Sequence, residues 1–273
     1  MVSYAAMVLS REDLAQFIER GHCRVEGAFA SGDAHAACAR IWQRMEEKRG
    51  VRRDDPLTWP ELCDIEEQVE SPDVLACFTD RLAAAIEQLL GPGRWTGRRA
   101  WGLWPVNFGW RRNQPYHVTA DGWHVDGNWF THTLDCPRQG LLVIGLFTDI
   151  CPRGGGTILA EGSHRRTARV LAQHPEGLHH RRLFELVLAE PIGGFHEITG
   201  AAGDVVLAHP FLFHNRGVKH AGPPRIISNT EAPLHEPMAP HRPAAERSPL
   251  EESIARALVE TDPPPPDAMQ CRF

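Results

Sequence analysis

The chain has 273 residues, 42% of them hydrophobic, and a formal net charge of −6, enough apolar material for one substantial core. That acidic balance argues against a duplex nucleic-acid binder, which needs clustered cations at the phosphates, and no run of eighteen apolar residues suggests a membrane span. Cys23, Cys38, Cys63, Cys77, Cys136, Cys151 and Cys271 form no CxxC pair, and the opening MVSYAAMVLSREDL lacks the regions of a signal peptide, so reduced thiols and a cytoplasmic location are expected.

The first ninety residues read as helices with one strand. Ser10 with Asp13 forms a capping box ahead of the stripe Leu14, Phe17 and Ile18, and Gly21 ends that helix. HCRVEGAF reads as a strand. Ala34 to Lys48 forms a second helix with Ala37, Ile41, Trp42 and Met45 on one face, and Ser71-Pro72 opens a third that runs to Leu90.

From about residue 95 the texture changes to short apolar runs broken by Gly, Pro, Asn and Asp: WGLWPVNFGW, GWHVDGNWF, LLVIGLFTDI, GTILAEGSH, HEITG, DVVLAHPFLFH and RIISNTEA. Runs of this length and spacing read as an all-β sandwich or barrel. Arg165 to Leu188 interrupts them as a polar, His-rich excursion. Ser248-Pro249 with Glu251 caps a last short helix, and the tail TDPPPPDAMQCRF is too proline-rich to be core.

The chemistry centres on His124-Val125-Asp126, followed 88 residues beyond Asp126 by His214 and then by Arg225. Residues two apart on a strand share a face, so His124 and Asp126 can present an imidazole and a carboxylate to one ion. Two imidazoles and one carboxylate on one face of an octahedral metal leave three positions open, the arrangement of non-haem Fe(II) oxygenases. HxD alone is weak, since fifteen histidines produce it by chance, and the following Asp-Gly also suits a turn. For the third ligand His209, His214 and His220 all lie near one strand end. On a regular strand from 204 to 214, His209, Phe211 and Phe213 face one way and Leu212 and His214 the other.

GWHVDGNWF, then DICPRGGGTILAEGSH, then GDVVLAHPFLFHNRGVKHAGPPRIISN resemble the phytanoyl-CoA dioxygenase family of Fe(II)/2-oxoglutarate oxygenases. The family pattern is HxD, a glycine-rich turn ending in a GSH-like motif, and a strand opened by Gly-Asp, closed by His and followed eleven residues on by Arg. The match spans roughly residues 95 to 235. It implies an α+β fold whose core is a double-stranded β-helix (jelly-roll, cupin-like) with flanking N-terminal helices. The expected single oxygenase domain, 1–273, divides into a mainly helical flank (1–94), the jelly-roll core (95–235) and a C-terminal helix and tail (236–273). The resemblance selects His214 beside His124 and Asp126 as metal ligands, with Fe(II), 2-oxoglutarate and dioxygen (O2) as cofactor and cosubstrates. His209 then becomes a core residue.

A planar guanidinium at Arg225 can grip the distal carboxylate of 2-oxoglutarate bidentately. Where the family often has a hydroxyl two residues after the distal histidine, this chain has Arg216; Thr157 is the substitute candidate for that contact. Asp126 is intact, so halide does not take its place and the expected outcome is C–H oxidation.

Six of eight tryptophans, Trp95, Trp101, Trp104, Trp110, Trp123 and Trp129, fall in one 35-residue stretch beside the HxD. They are either sandwich core or faces for a flat or sugar-like substrate. Trp123, Trp129, Asn107 and Asn128 are the candidate substrate contacts. Interleaved Arg94, Arg98, Arg99, Arg111 and Arg112 could suit single-stranded nucleic acid, against which the acidic total stands. The expected partner is a small polar molecule, with no nucleic acid and no membrane. Rival readings are a cupin-like metalloenzyme with non-redox chemistry, for which Arg225 has no purpose, an acyl-CoA hydroxylase, and a metal-free binding module.

Overall fold

The computed structural model describes residues 7–259; the proline-rich tail and Cys271 lie outside them. Helix α1 (Arg11–Arg20) begins at the Ser10/Asp13 capping box and ends on Gly21 in the left-handed region, as its signals require. Strand β1 (His22–Val25) follows directly, shorter than the apolar run that marks it. Helix α2 (Ser31–Arg49) buries Ala34, Ala37, Cys38, Ile41, Trp42 and Met45 at helical spacing.

The expected helix from Ser71 to Leu90 is two helices, α3 (Pro72–Leu75) and α4 (Asp80–Leu90). Thr79 causes the break: its hydroxyl accepts from the Leu82 N–H and donates to the Ala28 carbonyl, so it caps a new helix while tying it to the chain after β1. Between α2 and α3 lies β2 (Leu62–Ile65), which the sequence reading did not anticipate.

Seven further strands, β3 (Trp104–Asn107), β4 (Leu142–Leu146), β5 (Ile158–Ala160), β6 (Phe195–Glu197), β7 (Val205–Ala208), β8 (His214–Asn215) and β9 (Arg225–Glu231), complete two sheets. The larger runs β1-β7-β4-β9-β3-β2 and the smaller β6-β5-β8, with antiparallel pairing throughout. This is a double-stranded β-helix with helical flanks, an α+β fold. Both edge strands of the large sheet, β1 and β2, come from the first 94 residues, so the flank is also sheet.

Alternation along the large sheet builds two cores. Cys23, Val25, Trp104, Val106, Val143, Val205, Leu207 and Ile226 face the helices. Leu142, Ile144, Leu146, Val206, Ala208 and Ile227 face the small sheet, meeting Leu159, Ile198 and Leu212. The functional groups described below share this inner space.

Two segments depart from expectation. Arg165 to Leu188 is not a loose excursion: it holds α5 (Ser163–Ala172) and α6 (His180–Val187), which bury Ala168, Leu171, Leu183 and Val187. Nor is 204–214 one strand. Pro210 cannot donate to a ladder, the His209 N–H turns to the Gly21 carbonyl, and the Leu212 N–H closes a turn onto the His209 carbonyl. After that turn the chain re-enters as β8, so the alternation counted across it carries no information about His214. The last helix, α7 (Pro249–Val259), begins where Ser248 and Glu251 exchange hydrogen bonds.

Candidate functional site

Among the described residues one group of side chains can hold a metal: His124, Asp126 and His214, whose ligand atoms all lie within 4.8 Å of one another. Asp126 Oδ1 stands 3.6 Å from His124 Nε2 and 3.6 Å from His214 Nε2, too long for hydrogen bonds and close enough for all three to share one ion. His124 Nδ1 faces the Gly122 carbonyl at 2.8 Å and His214 Nδ1 the Leu212 carbonyl at 3.2 Å. Each Nδ1–H donates there, which leaves the Nε2 lone pairs turned toward Asp126. His214 Nε2 is buried and has no hydrogen-bond partner, an unspent ligand atom that could serve a metal ion together with His124 and Asp126.

Electrostatics act differently on the two histidines. Burial lowers the His124 pKa and neighbouring His214 adds to the effect, so this imidazole is neutral and able to ligate. Burial opposes charge on Asp126 and His214 as well, but their mutual attraction outweighs it, lowering the Asp126 pKa and raising that of His214.

GWHVDGNWF is not a strand. His124 forms a single bridge to His214, with the His124 N–H donating to the His214 carbonyl at 3.1 Å and the return bond at 2.9 Å. Asn215, which the sequence reading passed over, holds this loop in place: its Nδ2 donates to the Thr119 hydroxyl and the Asp121 carbonyl at 2.9 and 2.6 Å. Ser163 of the GSH motif accepts the Phe213 N–H at 2.9 Å, which seats the chain entering His214. His209 lies elsewhere, buried against Phe17 of α1 and His164 of α5.

The glycine-rich turn 154–156 works by close approach. A Cβ on Gly156 would stand 1.9 Å from the Ile198 carbonyl oxygen, and one on Gly217 would stand 2.1 Å from the Gly156 carbonyl oxygen. Glu197 accepts the N–H groups of Arg153, Gly155 and Gly156, giving this turn its backbone partners.

On β9, Arg225, Ile227, Asn229 and Glu231 share the inner face. Arg225 is 2% exposed; one Nη donates to the Pro105 carbonyl at 3.1 Å, and Nε is buried without a partner. Burial lowers its pKa to about 9, with Arg216 as the next contributor, and it stays cationic at neutral pH. Arg216 also acts on His124, so its charge is felt at both the metal-ligating group and Arg225. Its guanidinium is ion-paired to Asp64 of β2 at 2.8 Å, so it is not free as a hydroxyl in its place would be. Thr157 is buried, one residue before Ile158, whose partner on β8 is Asn215; that register sets Thr157 opposite Arg216.

The candidate substrate contacts separate. Asn107 is fully buried with its amide engaged, Nδ2 to the Gly217 carbonyl and Oδ1 from the Trp110 N–H. Trp123 is core, stacked on Phe195, with Nε1 on the Thr119 carbonyl. Asn128 is exposed. Trp129, 60% exposed, lines a cavity of about 330 Å³ whose wall includes Asp126, Leu103, Asn229 and Glu231. Burial and the like charge of Asp126 push the Glu231 carboxyl up to about 7. Trp95, Trp101 and Trp104 are core. Arg94, Arg99 and Arg111 are ion-paired to Glu251, Asp80 and Asp121, and Arg98 alone of the interleaved arginines lines this cavity.

No family model and no curated protein matches the chain. Solved structures do. AviO1 from Streptomyces viridochromogenes Tue57 is 20% identical over 86% of this chain and 100% of its own, with a TM-score of 0.52. SnoN, a non-heme alpha ketoglutarate dependent epimerase from nogalamycin biosynthesis, is 17% identical over 80% of this chain and 79% of its own, at 0.51. EctD from S. alaskensis, solved with 2-oxoglutarate and 5-hydroxyectoine, is 17% identical over 83% and 77%, at 0.51. At these identities the likeness is one of fold, a jelly roll.

Proposed function

We propose that the chain is one Fe(II)- and 2-oxoglutarate-dependent oxygenase domain, acting in the cytoplasm on an unactivated C–H of a small polar molecule. Hydroxylation and oxidative ring closure are both open to it, in the tailoring of a natural product or antibiotic that carries a sugar or cyclitol. The observation that carries this reading is Arg225: a fully buried guanidinium with an unpaired Nε and, among the described residues, no ion pair, on the inner face beside a two-histidine, one-carboxylate site. Leaving such a charge without an anion is costly, and a non-redox cupin would have no anion to put there.

His124, Asp126 and His214 would hold the iron, whose bound form activates dioxygen at the expense of the 2-oxo acid. Arg225 would anchor the distal carboxylate of that acid, with Thr157 as a further contact. Packing of Ile227, Leu159 and Leu212 beside them excludes water from the inner space. Two similar structures, one of an epimerase from nogalamycin biosynthesis and one with 2-oxoglutarate bound, support the cosubstrate and the type of pathway.

Anaerobic Fe(II) protein titrated with 2-oxoglutarate should develop a visible charge-transfer band. Arg225→Gln should keep iron yet weaken 2-oxoglutarate on the order of 100-fold, the loss of a bidentate charged contact. No band and no succinate from the parent chain would sink the reading.

A further inference from the structure

Resting on the oxygenase reading for the identity of the centre, we propose that the cavity against Asp126 takes a substrate bearing a protonated amine, with its ammonium group on Glu231 and its body against Trp129. Glu231 is the last residue of the inner-face row that begins at Arg225, six residues or roughly 20 Å away along the strand. The row thus ends in opposite charges. As Arg225 has no ion pair among the described residues, so Glu231 has none: its carboxyl, partly buried in the cavity wall, makes no hydrogen bond or ion pair among them, and only the longer-range attraction of Arg98 and Arg138 favours its charged form.

The other unspent groups of this cavity are of the same kind. Asn229 Oδ1 is buried without a donor. Glu66 stands exposed on the rim, whereas Glu67 is already paired with Lys48 and Arg44 and adds little. A ligand completing these acceptors must be rich in hydrogen-bond donors, and a neutral polyol meets the carboxylate less well than an ammonium does. Arg98 is the one cation in the wall; it is exposed and keeps its hydration when a ligand amine takes Glu231. Trp129 supplies the remaining element, an indole 60% exposed at the cavity. An aromatic face in that position attracts a cation and the C–H face of a ring. The volume, about 330 Å³, suits a single ring with its substituents, and Asp126 in the wall puts that ring beside the metal-ligating group.

The test is calorimetric titration of the Zn(II)-loaded full chain with three amines and their neutral counterparts: glucosamine against glucose, cyclohexylamine against cyclohexanol, putrescine against butanediol. At least one amine should bind on the order of tenfold more tightly than its counterpart, and Glu231→Gln should abolish that preference while Glu231→Asp retains part of it. Circular dichroism of both variants checks that they fold. Equal binding of amine and alcohol, no amine binding, or an unchanged preference in folded Glu231→Gln overturns the proposal. The charge-transfer band with 2-oxoglutarate, read on the parent chain with Fe(II), is independent of these titrations. Band without amine preference sinks this inference alone; amine preference without band sinks the oxygenase reading alone.

Discussion

At His214 the deciding atom is Nε2, buried, unpaired and 3.6 Å from Asp126 Oδ1. His214→Ala should therefore abolish stoichiometric iron binding, whereas His209→Ala should retain most of it and lose thermal stability instead, because that ring packs on Phe17 and His164. Metal analysis of the two purified variants checks both, and iron loss confined to His209→Ala would refute the assignment. Asn215 acts on the site without touching the metal position. Removing its amide in Asn215→Ala frees the loop that carries His124, and iron affinity should fall by roughly 10- to 100-fold. An unchanged dissociation constant would mean that the backbone bridge between His124 and His214 suffices alone.

Among the elements, β8 is two residues long and cannot hold His214 by pairing alone. Its position depends on the turn after β7, on Ser163 from the start of α5, and on the close backbone packing of Gly156 and Gly217. Gly156→Ala would push a methyl into the Ile198 carbonyl, where rigid backbone cannot yield. A cost of about 1 to 3 kcal/mol or more is expected, measured as a lower urea midpoint, together with weaker iron binding because β5 and β8 separate. A midpoint equal to the parent's would show that the turn relaxes freely. The elements also show where local signals succeed. The capping boxes at Ser10 and Ser248 and the apolar spacing of α2 are complete within one or two turns, and these helices stand where they are expected. The break at Thr79 and the short β2 depend on Ala28 and on β3, partners far off in the chain, and no local pattern announces them.

For the whole molecule, two cores flank one large sheet, and the packing that joins α1 and α5 to the β7–β8 turn buries His164 and His209 at 1% exposure each. Burial lowers the His164 pKa from 6.5 to about 3, and it lowers that of His209 well below 6.5. As pH falls below 6.5 the unfolded chain binds protons at these residues that the folded chain does not, so folding stability is lost with acid and is fully present above that pH. Each histidine contributes about 1.4 kcal/mol per pH unit. Urea midpoints at pH 7.5, 6.5 and 5.5 should fall slightly between the first two and more steeply to the third, and His164→Gln should lessen the drop; a flat profile would contradict the burial.

Capping and periodicity, written in neighbouring residues, determined most of the helices and the β texture of the later chain, and the HxD pair stands plainly in the sequence, whereas the jelly-roll class and the choice of His214 and Arg225 rested on the family resemblance. The faces the sequence assigned to Leu212 and His214 on one side and to His209, Phe211 and Phe213 on the other agree with the structure, but the regular strand it assumed between them is interrupted at Pro210. It also offered Asn107 and Trp123 as substrate contacts, where both are engaged in the interior. Only the tertiary structure decided which charges are left without partners. Arg216 is neutralised by Asp64, 152 residues away in the chain, while Arg225 and Glu231 at the two ends of β9 have no ion pair among the described residues. Whether a charge is satisfied depends on what the fold brings within a few ångströms of it, and that distance has no counterpart along the chain.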